Sequence, residues 1–433
     1  MQTIKIIGAG LAGCEGALQL AKRGYNVKIF EMRPMKQTEA HKTPLFAEIV
    51  CSNSFKSNFI TTGAGLLKAE LEMLDCELLK IAKKCKIPSG GALAVDRKKF
   101  ATLVTQTIKQ NPNIQVIHCE VKNLNWQEPT ILATGPLTSI SLLNFLAKKL
   151  KQENLYFFDA IAPIIDSDSI DMKKVFRKSR YDKSDADYLN CPFTKDEYFN
   201  FVQALKNGKK YQTKDFETEF FKITKFKFYE NCIPIEELAR RGVDTLRFGV
   251  LKPVGLEQDG KRAYAVLQLR TENKNFTSFN LVGCQTMLRQ SEQKDIFQKV
   301  PGLKNCKFLR YGSIHKNSFI NSPKILNKDL SLKTIPNIYP AGQLVGVEGY
   351  TESIWSGLIT SKSINKESLN FPKETISAGL LSHLTSPNKN FQPMNANFGL
   401  LPPLKKKVRD KKEKKEQLSN LAVIKMKKFY NEN

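Results

Sequence analysis

Apolar and polar positions alternate in a recognisable way from the first residues. Ile4, Ile6 and Ile7 lie just before a cluster of glycines, which predicts a short buried strand, and apolar residues then recur at helical spacing as far as Lys22. A second apolar run over 27–30 closes on Glu31, so the chain opens as a βαβ unit. Residues 66–84 keep the three-and-four spacing of a helix, and Gly90-Gly91 breaks the chain before Leu93-Ala94-Val95. Residues 130–135 predict another short strand, running into Ala133-Thr134-Gly135.

Beyond that point the texture turns aromatic- and lysine-rich with many turns, which predicts a second domain. Pro234 is placed to open a helix over 235–241. Ile338-Tyr339-Pro340-Ala341-Gly342 returns to the strand-then-glycine style of the N-terminus. The first domain is therefore expected to be discontinuous, built from residues 1–135 and 301–404, with an inserted α+β domain over 136–300. A basic tail, 405–433, begins with a lysine run and continues as an amphipathic stretch over 418–429. It reads either as a solvated helix or as an RNA-contacting arm.

At 433 residues the chain can bury two substantial cores. Its formal charge of +26 favours a polyanionic partner such as nucleic acid, although a lysine- and asparagine-rich proteome would raise the charge of any of its proteins. Nine cysteines with no CxxC pair look neither like a disulfide framework nor like a zinc or iron-sulfur site, so no metal is expected and the compartment should be reducing. With no leader pattern and no bilayer-length apolar stretch, no membrane association and a cytoplasmic location are expected.

Gly8-Ala9-Gly10-Leu11-Ala12-Gly13 is a GxGxxG between a strand and a helix. Its first glycine suits a tight turn, the second lets backbone approach a pyrophosphate, and the third lets helix pack on strand. Glu31, ending the next strand, is placed to accept hydrogen bonds from ribose hydroxyls. Glu31-Met32-Arg33, Ala133-Thr134-Gly135 and Ala341-Gly342-Gln343 resemble segments of flavoproteins of the glutathione-reductase type. That resemblance implies FAD rather than NAD, a Rossmann-like FAD-binding domain, and Arg33, Gly135 and Gly342 as further cofactor contacts.

The segment from Phe46 through Cys51-Ser52-Asn53-Ser54 resembles the folate- and FAD-dependent tRNA (uracil-5-)-methyltransferase family, TrmFO. So do the segments 91–97, 133–138, 169–181, 188–193, 234–241, 251–256, 346–350 and 391–404, so the resemblance covers nearly the whole chain. It implies a flavoprotein that moves a one-carbon unit from methylenetetrahydrofolate to carbon 5 of uracil in structured RNA, with NADPH or NADH as reductant. Carbon 5 is a poor nucleophile, so a thiolate must add at carbon 6 and a base must then take the carbon 5 proton. Cys232 matches the nucleophile, and the amide ends of the helix opened by Pro234 would favour its thiolate. Cys51 matches the second functional cysteine, as general base or as protector of the nucleophile. His315 matches the imidazole stacked on folate, and Tyr350 a flavin-proximal aromatic. The other seven cysteines are expected to be buried small hydrophobes.

Some positions depart from the family pattern. Asn231 stands where glycine is expected, Cys284, Met287 and Gln290-Ser291 replace Phe, His and Trp-Gly, and Ile354-Trp355 replaces small residues, which would reshape the cofactor pocket. These changes keep a paralogue acting on 23S ribosomal RNA beside the tRNA T-loop reading. A flavoprotein modifying the tRNA wobble uridine and an RNA-binding flavoprotein that has lost catalysis are the remaining alternatives.

Overall fold

The computed structural model describes residues 2–124, 127–151, 155–180, 187–211, 233–258, 260–335, 337–389, 391–406 and 408–432, without the side chains of 155–160 and 314–316. Strand β1 (Thr3–Ile7) leads through helix α1 (Leu11–Lys22) to β2 (Asn26–Glu31), and β1 pairs in parallel with β2. The chain then makes an excursion through β3 (Ser54–Ser57), α2 (Gly63–Met73), α3 (Glu77–Lys84), β4 (Lys86–Ile87), β5 (Ala92–Val95) and α4 (Arg97–Gln110). Within it β3, β5 and β4 form a small antiparallel sheet. The single helix expected over 66–84 is two. Asp75 takes a φ of +60°, and the buried Glu15 carboxylate accepts from the amides of Glu77 (3.1 Å) and Leu78 (2.8 Å), starting a new helix. Apolar spacing does not register a cap supplied from another helix. β6 (Ile114–His118) and β7 (Thr130–Leu132) rejoin the parallel sheet, and the strand expected over 130–135 ends at Leu132.

Next come α5 (Ile140–Leu150), β8 (Leu155–Ile161), β9 (Ile164–Asp166), β10 (Phe176–Arg177), β11 (Tyr188–Phe193), α6 (Lys195–Asn207), α7 (Ile235–Arg241) and α8 (Thr245–Phe248). They are followed by β12 (Ala265–Thr271), β13 (Ser278–Leu281), α9 (Gln290–Phe297), β14 (Phe308–Arg310) and β15 (Ser313–Phe319). A six-stranded antiparallel sheet runs β10-β11-β12-β13-β9-β14 over its own core of Leu189, Phe193, Phe201, Phe279 and Phe297, while β8 and β15 pair separately. α7 starts directly after Pro234, where the proline's fixed φ and missing N–H cost a helix nothing.

The last part holds α10 (Ser322–Ile325), β16 (Ile338–Pro340), α11 (Tyr350–Ile364), α12 (Ile376–Thr385) and α13 (Lys411–Glu432). β16 pairs in parallel with β7, so the first sheet runs β16-β7-β1-β2-β6 and a strand from residue 338 completes a layer begun at residue 3. The architecture is the α/β class read from the sequence: a discontinuous Rossmann-like body with an insertion. α11 crosses α1 so closely that a Cβ on Gly357 would lie 2.1 Å from the Ala12 carbonyl oxygen. α13 is one long helix. Its Leu418, Ala422 and Met426 are buried and its Ser419 hydroxyl donates to the Ile60 carbonyl (2.7 Å), whereas residues 411–417 stand in solvent. No described helix is long and apolar enough to cross a membrane.

Candidate functional site

The glycine turn lies at the C-terminal edge of the parallel sheet, where open α/β sheets bind ligands. Gly8 has a φ of +99°, and a Cβ there would sit 2.5 Å from the Ala133 carbonyl oxygen; one on Gly13 would sit 1.9 Å from the Gly8 carbonyl oxygen. Fold geometry explains both. Gly10 differs: its φ is an ordinary −78° and a Cβ would meet nothing within 4 Å. The space it leaves opens on a cleft of about 1300 Å³, partly open to solvent, beside the first amides of α1. A pyrophosphate fits that cradle.

Glu31, at the end of β2, is buried on the cleft wall. It accepts from the Ala9 amide (2.8 Å) and from the Arg33 amide (3.0 Å) and Nε (2.9 Å). Burial pushes its carboxyl up, but the hydrogen bonds and charge of Arg33, joined by the Ala9 amide, outweigh burial and hold it below the usual carboxylate range. Arg33 is 2% exposed and also donates to the Leu45 carbonyl (3.0 Å), so this predicted cofactor contact neutralises Glu31 as well as lining the cleft. Ala9 itself is buried, while Gly8, Gly10, Leu11, Ala12, Gly135 and Gly342 line the cleft.

Cys51, before β3, lines the same cleft. The phenol oxygen of Tyr350, first residue of α11, accepts from the amides of Cys51 (2.8 Å) and Ser52 (3.0 Å). Burial raises the Tyr350 pKa, and proximity to Cys51 adds to the rise, so its hydroxyl stays protonated. Three further ties fasten this turn to the inserted sheet. Arg97 donates to the Ile49 carbonyl (2.9 Å) and pairs with Glu272, Arg310 donates to the Val50 carbonyl (2.8 Å), and Asn53 accepts from Arg270 (2.8 Å) while donating to the Thr271 carbonyl (2.9 Å). Burial weakens the Arg97 cation, but Glu272 outweighs it and the pKa rises; burial and the Arg97 charge lower that of Arg310.

The sequence reading gave Arg97, Arg270, Glu272 and Arg310 no role. Arg97 and Asn53 fall inside segments quoted for the family resemblance, which was the available signal; the other three are far away in sequence. Of the predicted site residues, Cys232 lies outside the described residues, as does Asn231. Its covalent neighbour Ile233 is buried, and the Ile235 amide donates to the Gln285 carbonyl (2.7 Å). His315 lies in β15 opposite Asp159, and its side chain is outside those described.

Two expectations need correction. Cys14, Cys76, Cys85, Cys191, Cys284 and Cys306 are buried as expected, but Cys119 is half-buried and lines the cleft, because its amide bonds to the Glu31 carbonyl (3.0 Å). The Ile354-Trp355 pair does not reshape the cleft. Trp355 is fully buried and its indole donates to the Ser377 hydroxyl (3.1 Å) of α12, so the larger residues fill a helix-helix core. Cys284 and Met287 are likewise buried in the inserted region, and Gln290-Ser291 starts α9 in solvent.

The family profile described as "Glucose inhibited division protein A" (GidA) matches residues 3–372. A methylenetetrahydrofolate–tRNA-(uracil-5-)-methyltransferase TrmFO of Bacillus subtilis (strain 168) is 49% identical over 430 residues, covering 98% of this chain and 97% of that one. The protein of the same name from Staphylococcus saprophyticus is 48% identical over 432 residues, with 98% and 97% covered. Among solved structures, Aquifex aeolicus GidA superposes with a TM-score of 0.70 at 15% identity, covering 99% of this chain and 75% of that one, a likeness of fold.

Proposed function

The chain belongs to the GidA family, and within it to the TrmFO group; from that premise we propose that it is an FAD-dependent enzyme that methylates carbon 5 of a uracil in tRNA, taking the carbon from methylenetetrahydrofolate. The observation that carries the reading is a single cleft lined by Gly10 with its open side, by Glu31 and by Cys51. A dinucleotide cradle and a reactive-residue candidate thus face one space.

When bound, FAD supplies acceptance of the one-carbon unit and, with electrons from NADPH or NADH, hydride to complete a methyl group. The residues of the chain do the rest. The first amides of α1 hold the pyrophosphate, and Glu31, kept ionised by Arg33, has lone pairs to offer the ribose hydroxyls. Cys232 adds as thiolate to carbon 6 of the uracil, forming the enolate whose carbon 5 attacks the one-carbon unit. Cys51 then takes the carbon 5 proton, or guards Cys232 between turnovers. Loss of that proton would free the one-carbon unit from its carrier as an exocyclic methylene on carbon 5, and hydride addition to that methylene would expel the Cys232 thiolate. Tyr350 fixes the Cys51 backbone through two amides, and Arg97 and Arg310 hold the carbonyls of Ile49 and Val50 just before it, so the sulfur cannot drift with the loop. His315 is assigned to the folate ring.

Carbon labelled in the methylene of methylenetetrahydrofolate, given to the purified protein with NADPH and either tRNA or 23S ribosomal RNA transcripts, tests this. Label is expected in 5-methyluridine of the tRNA T-loop, and Cys232→Ala should keep the flavin yet transfer nothing. Label appearing only in ribosomal RNA would move the substrate to the paralogue reading. A folded protein that holds no flavin would remove the proposal.

A further inference from the structure

A surface feature of the inserted region, outside the cleft, is unexplained by the chemistry above. Phe248 closes the short helix α8 and is 72% exposed, although Leu246 of the same helix already fills the core. It is part of a connected patch. The Arg247 guanidinium lies 5.2 Å from the Phe248 ring centroid and 4.3 Å from that of Tyr264, and the Tyr264 ring lies 6.0 Å from Phe199, which is 38% exposed. Val243, 36% exposed, adjoins them. Single exposed apolar residues are ordinary; a run of flat groups in contact at one corner is not.

The patch is held rigid from beneath. The buried Tyr198 donates its hydroxyl to the Val243 carbonyl (2.7 Å) and accepts from the Arg247 amide (3.1 Å). Arg247 Nε donates to the Tyr264 carbonyl (3.0 Å), which fixes the guanidinium plane between the two rings. The nearest carboxylate, Asp244, stands 3.8 Å from Arg247 and is itself half in solvent, so the cation is weakly compensated. The elements that carry the patch bring both signs of charge: Asp196 and Glu197 are exposed at the start of α6, which carries Phe199, and cations lie on the other elements. Arg240 and Arg241 end α7, which packs on α8, and Lys261 and Arg262 precede Tyr264. The nearby Glu237 and Glu257 are already paired with Lys210, Arg240 and Arg262. Arg241 and Lys261 have no ion-pair partner among the described residues.

We propose that Phe248, backed by Arg247 and Tyr264, is a stacking platform for an unpaired base of the RNA substrate, with the surrounding cations on the flanking phosphates. Every base presents a π-face, so an open aromatic face with a guanidinium behind it takes an unstacked nucleotide of a loop without reading its identity. A paired duplex offers no such face. The site therefore selects looped over fully paired RNA and adds grip at the opposite end of β12 from the Cys51 turn. This rests on the RNA substrate proposed above.

The test is binding of an unmodified tRNA transcript to the flavin-loaded enzyme over a series of salt concentrations, with Phe248→Ala and Phe248→Tyr. Stacking is not ionic. Phe248→Ala should therefore weaken binding about tenfold while leaving the slope of log K against log salt, the flavin content and the melting temperature unchanged. Phe248→Tyr should bind like the parent. Equal affinity of Phe248→Ala and parent overturns the platform, as does an altered oligomeric mass with RNA affinity unchanged, which would make the patch a protein interface. A parent enzyme that binds neither tRNA nor 23S ribosomal RNA removes the underlying reading instead, so the two failures are distinct.

Discussion

Gly10 separates a folding requirement from a ligand requirement within one motif. Gly8 and Gly13 are glycine because neighbouring backbone would collide with a Cβ; Gly10 has room for one. Gly10→Val should therefore cost the apoprotein little, within about 1 kcal/mol, while expelling flavin by filling the approach to the pyrophosphate. Flavin absorbance per protein, read beside the apoprotein melting temperature, checks it; a variant with full flavin content would contradict the placement. Gly13→Ala should instead fail at folding. Position in the motif was legible in the sequence, since a strand and a helix flank it. The hold on Cys51 was not, because the groups around it come from residues 97, 270–272, 310 and 350.

At the scale of elements, buried carboxylates join helices that sequence periodicity treats as independent. Glu15 starts α3, and Glu70 of α2 accepts from the Ile376 (2.7 Å) and Ser377 (2.8 Å) amides and the Ser377 hydroxyl (2.7 Å), starting α12. Burial pushes the Glu70 carboxyl up to about 7, with those hydrogen bonds pulling partly the other way. A carboxyl whose folded pKa is raised stabilises the fold fully below its unfolded pKa, near 4.5, and loses that contribution as pH rises through about 7. The parent should thus lose on the order of 2–3 kcal/mol between about pH 4.5 and 7.5 that Glu70→Gln does not lose. Urea unfolding of both proteins across that range measures the difference, and parallel pH profiles would refute the assignment.

Over the whole molecule, the +26 charge acts as a field, and α13 carries part of it on an arm whose first two turns stand in solvent. The tail is a helix, exposed at its start as the solvated reading has it and docked against α2 further on. Deleting 405–433 would bare the core under Leu418, Ala422 and Met426, so a truncation that no longer binds RNA would be ambiguous. Changing Lys411, Lys412, Lys414 and Lys415 to Gln leaves that docking intact. If the arm meets phosphates, each phosphate that is no longer neutralised lowers the magnitude of the salt slope of RNA binding by about 0.7–0.9; an unchanged slope makes it a solvated helix only. The sequence by itself determined what local physics encodes: the βαβ start, the glycine turn with its acidic partner, the helix after Pro234, and the return to the first sheet at residue 338, because strand and turn signals are contained within a few neighbouring residues. Tertiary structure alone decided which carboxylates cap which helices, that Trp355 fills a helix-helix core and not the cofactor cleft, and that three arginines and a tyrosine from distant segments fix the turn that carries Cys51. Those contacts depend on how packed layers bring remote residues together, a distance that no local pattern of polar and apolar positions contains.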